Sequence, residues 1–147
     1  MTPRPVGLRF EHRDESLGIG AATPRISWHL DEASPGWRQS SYEIECEVGG
    51  RVLTSGPVES DQSVLVAWPF PPLRSREQAT VRVRVNGSGA SSTSEWSDRI
   101  VAEAGLLDPS DWVAQPITDP SSQPEQVARF RRDFSLCLLY TSDAADE

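Results

Sequence analysis

Residues 42–48 read Tyr-Glu-Ile-Glu-Cys-Glu-Val, which puts Tyr42, Ile44, Cys46 and Val48 on one side of an extended chain and Glu43, Glu45 and Glu47 on the other. That period of two is the pleat of a β-strand with one face buried and one face wet. The same alternation recurs at 80–85, where Val81, Val83 and Val85 alternate with Thr80, Arg82 and Arg84, and at 25–30, where Ile26, Trp28 and Leu30 share a face. Shorter runs at 6–10, 52–55, 63–68 and 96–103 complete a set of seven expected strands. Half-wet strands of this kind belong in antiparallel sheets.

The separators have turn chemistry: Ser34-Pro35-Gly36, Gly49-Gly50, Gly56-Pro57, Pro69-Phe70-Pro71-Pro72 and Asn86-Gly87-Ser88-Gly89. Before residue 105 no stripe at i, i+3, i+4 and i+7 is long enough for a helix. Seven short strands in about 100 residues predict an all-β fold, an immunoglobulin-like or fibronectin type III sandwich of antiparallel strands. Trp28 is its expected bulkiest core residue and Cys46 a small buried hydrophobe. The sandwich is expected over 1–104, a linker over 105–126, where Pro116, Pro120 and Pro124 crowd together, and the first strand of a second sandwich over 127–136.

Charge removes several functions. The chain carries 14 arginines and no lysine against 22 acids, a net charge of −8, with no basic stripe for a nucleic acid. No apolar run approaches the roughly 20 residues of a membrane helix. The opening decapeptide lacks an apolar core after its basic residue, so the expected location is cytoplasmic. The two cysteines, Cys46 and Cys137, have no metal-ligand spacing, and neither a cofactor nor a metal is expected.

Catalytic candidates are sparse. The carboxylate pairs Asp14/Glu15, Asp31/Glu32 and Glu59/Asp61 fall at strand ends and turns, where acids are solvated. His12 and His29 are the two histidines; His29 alternates with Trp28 and Leu30 and should face water, and serines are too numerous to single out a nucleophile beside either. Gly87-Ser88-Gly89 reads as a hairpin turn, since no helix follows to make a phosphate site. Trp37 and Trp68, both at loop edges, are the candidates for contact with carbohydrate or a neighbouring domain. Trp96 reads as core or core edge.

An ordered series of motifs carries a resemblance: LRFEH over 8–12, Leu17-Gly18-Ile19, TPRISW over 23–28, RQSSYEI over 38–44, SGPVESDQS over 55–63, LRSR over 73–76, VRVRV over 81–85, SEWS over 94–97 and GLLDPSDW over 105–112. Together they resemble the N-terminal region of bacterial α-L-rhamnosidases, which are inverting glycoside hydrolases. The departures are Ala79 and Thr80, where the family begins a strand with aromatics, and a short loop at 48–51. The resemblance implies a fibronectin-like first module, further β-sandwich domains as its partners, and a helical (α/α)6 barrel, absent here, that carries the catalytic carboxylates. It implies that this chain alone is inactive. A free-standing fibronectin-like module that binds carbohydrate or protein is the alternative. The final stretch, 137–147, does not continue the pattern. Cys137 to Ser142 can be encoded by TGT CTC TTA TAC ACA TCT, which resembles a transposase adapter from sequencing libraries, so 137–147 is expected to be an artefact.

Overall fold

The computed structural model describes residues 3–13, 16–31, 33–87, 93–119, 127 and 129–135. The expectations for Asp14/Glu15, Glu32, the Ser88-Gly89 part of the hairpin turn and 137–147 lie outside these residues. The strands are β1 (Arg4–Phe10), β2 (Ile26–Asp31), β3 (Gln39–Val48), β4 (Arg51–Thr54), β5 (Val58–Glu59), β6 (Gln78–Gly87) and β7 (Ile100–Glu103), followed by a 3-10 turn at Pro109–Asp111. β1 and β2 pair as one antiparallel sheet; the other runs β4-β3-β6-β7, with β5 also on β3. All the ladders between these strands are antiparallel. The chain is an all-β, immunoglobulin-like sandwich.

The alternation explains the pairing. Tyr42, Ile44 and Cys46 stand opposite Val85, Val83 and Val81 across the β3–β6 ladder, and all six are buried. Phe10, Ile26 and Trp28 of the smaller sheet close over them within one core. Each such side chain removed from water contributes about 1.5–3 kcal/mol. On the wet face the same register sets Glu43 opposite Arg84 and Glu45 opposite Arg82. Arg84 pairs with Glu43 at 2.5 Å. Arg82 Nη2 donates to Glu45 Oε2 at 3.0 Å, while its Nε lies 2.8 Å from Oε1 without the alignment of a hydrogen bond. The Trp96 ring covers both guanidinium groups, each 4.6 Å from its centroid. Half-buried ion pairs such as these are worth on the order of 1 kcal/mol each, and the indole cover adds about as much again.

Two expected strands differ. Residues 63–68 lie beside β2, with Ile26 and Val66 exchanging backbone hydrogen bonds at 2.9 and 2.8 Å. Leu65, however, sits at φ 51°, and this left-handed residue breaks the ladder to an isolated bridge. The short β5, unanticipated, pairs Val58 with Tyr42. At 96–103 a regular ladder begins only at Ile100. Upstream of it, the Ser94 and Ser97 hydroxyls accept from the N–H groups of Val85 and Val83, each at 2.9 Å. Hydroxyls thus complete a strand edge that backbone alone would leave open. The β3–β4 turn needs its glycines: Val48 pairs with Arg51, and Gly49 and Gly50 both have positive φ, 56° and 76°, the combination a two-residue hairpin loop requires.

Gln39 joins the two sheets. Its side-chain oxygen accepts from Trp28 Nε1 at 3.2 Å and its nitrogen donates to the carbonyls of Ser60 and Gln62, both at 3.0 Å. It is 7% exposed. Gln39→Ala is expected to cost about 1–3 kcal/mol, because three buried or half-buried polar groups lose their partner at once. A urea titration reads this as a lower midpoint at unchanged slope.

The chain divides into two compact units, Met1–Val113 and Ala114–Glu147. In the second, residues 127 and 129–135 form no strand, although the sequence led us to expect one. A strand is stabilised by its ladder, and no described residue supplies a partner. Val127, Phe130 and Phe134 are accordingly exposed.

Candidate functional site

Of the candidate carboxylates among the described residues, Asp31 and the neighbouring Glu59 and Asp61 are all exposed. A hollow of about 510 Å³ is lined by a single carboxylate, Glu77, and a second, of about 260 Å³, by none. Inverting hydrolysis needs two carboxyl groups roughly 6.5–9.5 Å apart across one cleft. Both histidines line the smaller hollow, beside Arg9. His29 is exposed, as its place in the alternation implied. Among the described residues no three His, Cys, Asp or Glu side chains gather as metal ligands.

The tryptophans divide differently from their place in the sequence. Trp68 is 8% exposed. Its Nε1 donates to the Pro71 carbonyl at 3.0 Å, and its ring meets Phe70 edge-on at 5.2 Å. It belongs to the core, so its ring presents no open face to a ligand. Trp37 is half-buried against Gly87; a Cβ at Gly87 would come within 2.5 Å of the indole Nε1, so only glycine permits this approach. The tryptophan most open to solvent among the described residues is Trp112, at 65%. Sequence reading missed it because it follows a turn rather than a strand.

The best-defined polar construction lies where the chain leaves the sandwich. Asp108 caps the turn at Pro109–Asp111: its side chain accepts from Ser110 N, and its own N–H donates to Asp111 Oδ2 at 3.2 Å. Pro109 occupies the first turn position, where its missing N–H costs nothing. The Ser75 hydroxyl donates to the Asp111 carboxylate and accepts from Leu107 N at 2.9 Å. Arg76 N donates to the carbonyls of Ala104 and Gly105, both at 3.1 Å. Residues 105–112, expected to begin a linker, are therefore pinned to the 74–77 turn. Leu17, Leu106, Trp112 and Val113 leave apolar surface in water.

An all-β sandwich whose last strand is followed by a capped turn pinned to the 74–77 segment defines an immunoglobulin-like module. The family model for the Rha78A-like N-terminal immunoglobulin domain matches residues 5–108, and the chain belongs to that family. An α-L-rhamnosidase of Streptomyces avermitilis is 38% identical over 122 residues, which are 78% of this chain and 12% of the relative. The crystal structure of native α-L-rhamnosidase from Aspergillus terreus matches with a TM-score of 0.71 and 44% identity, over 76% of this chain and 13% of that one. The Streptomyces avermitilis enzyme complexed with L-rhamnose matches at 0.70 and 37%, over 76% of this chain and 11% of that one. The chain spans 11–13% of the length of these relatives.

Proposed function

We propose that the chain is the N-terminal accessory module of an α-L-rhamnosidase, and that the longer protein hydrolyses terminal α-L-rhamnose from glycosides. The observation that carries this is the match of residues 5–108 to the N-terminal immunoglobulin domain of that family. The acid and base of the reaction belong to another domain of the longer protein; in support, neither of the two hollows described above is lined by a pair of carboxylates. This module's part is mechanical: the Ser75–Asp111 clasp fixes the direction in which the chain leaves, and the exposed Leu17 and Leu106 meet the next domain. Its partners are the other domains of the enzyme.

An aryl α-L-rhamnoside assay tests this. The 147-residue chain is expected to release no aglycone above the buffer rate, and the longer polypeptide to turn over. Turnover by the short chain overturns the placement of the chemistry; an inert longer polypeptide overturns the activity.

A further inference from the structure

We propose that the larger hollow, between the β3–β4 hairpin and the proline run at 69–72, binds a carboxylate-bearing saccharide. Its walls are rigid for local reasons. The hairpin has no slack beyond Gly49 and Gly50. The proline run has its φ angles fixed by three rings and is anchored at both ends, by Trp68 Nε1 on the Pro71 carbonyl at 3.0 Å and by Leu73 N on Ala22 O at 2.8 Å. Phe70, 9% exposed, forms the floor. At about 510 Å³, the space lies inside the roughly 300–1,000 Å³ range of small-molecule sites.

The rim supplies the chemistry. Arg51 and Arg74 line this hollow and are exposed; neither guanidinium has an ion-pair or hydrogen-bond partner among the described residues. Arg4, Arg25, Arg82, Arg84 and Arg99, in contrast, are each paired with a carboxylate. In a chain of net charge −8, a hollow flanked by two uncommitted guanidinium forks and one carboxylate is a local excess of positive charge. The planar fork is suited to a carboxylate, which it can hold by two parallel hydrogen bonds. Glu77 is half-buried, and its Oε2 accepts from Arg74 N at 2.8 Å, which orients the carboxylate and leaves the other oxygen to accept from hydroxyl groups. Exposed Pro71 and Pro72 offer flat C–H surface to a sugar ring. A carboxylate, hydroxyls and an apolar ring face on one small body describe an acidic sugar. The sugar part of this inference rests on the proposed glycosidase; the carboxylate part rests on the two arginines.

The test is a titration of the chain with the methyl glycoside of a hexuronic acid, followed by amide NMR shifts, beside the neutral methyl hexoside and sodium acetate. Saturable shifts at Arg51, Arg74 and Glu77 are expected at millimolar ligand, at least 10-fold weaker for the neutral sugar and for acetate. Arg51→Gln and Arg74→Gln, both surface changes, should each weaken binding at least 10-fold with unaltered thermal midpoint. Absence of saturation, equal binding of the neutral sugar, equal binding of acetate, or indifference to both substitutions each overturns the proposal. So does binding by the short chain but not by the longer polypeptide, which would show the hollow filled by a neighbouring domain. None of these failures bears on rhamnoside turnover, which is measured separately.

Discussion

Trp28→Ala is expected to destabilise the sandwich by about 3–5 kcal/mol, the range for removing a large aromatic from a packed core. Trp28 is 3% exposed and meets Tyr42 edge-on at 5.3 Å, so the truncation opens a void between the two sheets. It also strips the acceptor of Gln39 of its donor. Against the 5–15 kcal/mol that ordinarily holds a domain, that loss leaves a protein near the edge of folding, with a thermal midpoint lower by more than about 10 °C. Trp28→Phe separates the two contributions. It keeps a six-membered ring in the space but loses the Nε1 hydrogen bond and part of the indole's volume, so it should cost less than alanine, about 2–3 kcal/mol. Urea unfolding of the three proteins measures both. An alanine variant within 1 kcal/mol of the parent would mean that Trp28 does not join the sheets. Near-equal losses for phenylalanine and alanine would mean that the hydrogen bond, not the packing, is the larger effect.

The same residue shows why the core was legible in the sequence. Ile26, Trp28, Ile44, Cys46, Val81, Val83 and Val85 are buried because a pleat turns every second side chain inward, and that rule is local. What was hidden depends on contacts distant in sequence. Trp68 reads as a loop-edge residue until the proline run folds back and the Pro71 carbonyl captures its indole. Residues 63–68 carry a strand's composition, but one left-handed residue, Leu65, decides how they pair. At the exit, the Asp108–Asp111 cap is written within four residues, yet its anchor, Ser75, lies 36 residues upstream. The large hollow is less legible still, since it exists only because the β3–β4 hairpin and the 70–77 segment meet. An arginine in a turn looks like any solvated charge until its neighbours are known to offer it no carboxylate.

Stability is expected to fall steeply above pH 9, and the buried thiol of Cys46 is the main cause. Cys46 is fully buried; burial, reinforced by the nearby Glu77 charge, pushes its pKa up from 9.0 to about 12. Burial raises the Tyr42 phenol in the same direction. The sign follows from which state releases the proton first. Unfolded, the thiol ionises near its ordinary value; folded, it stays neutral, so the unfolded chain holds fewer protons through the window between 9 and 12. Stability is unaffected below that window and declines through it, by up to about 1.4 kcal/mol per pH unit for one group. The chain has no lysine, so no ammonium group titrates there, and guanidinium groups stay charged. Urea midpoints measured from pH 7 to 11 should be flat to about pH 8.5 and then drop. Cys46→Ala should abolish the first part of the drop and leave the later one from Tyr42. Glu77→Gln removes the nearby charge that helps hold the folded thiol neutral, so it should leave the onset near pH 9 unchanged, end the decline at lower pH and reduce its total size. A Cys46→Ala profile as steep as the parent's would remove the thiol from the explanation. A flat parent profile to pH 11 would show that the folded sandwich ionises Cys46 as readily as the unfolded chain does.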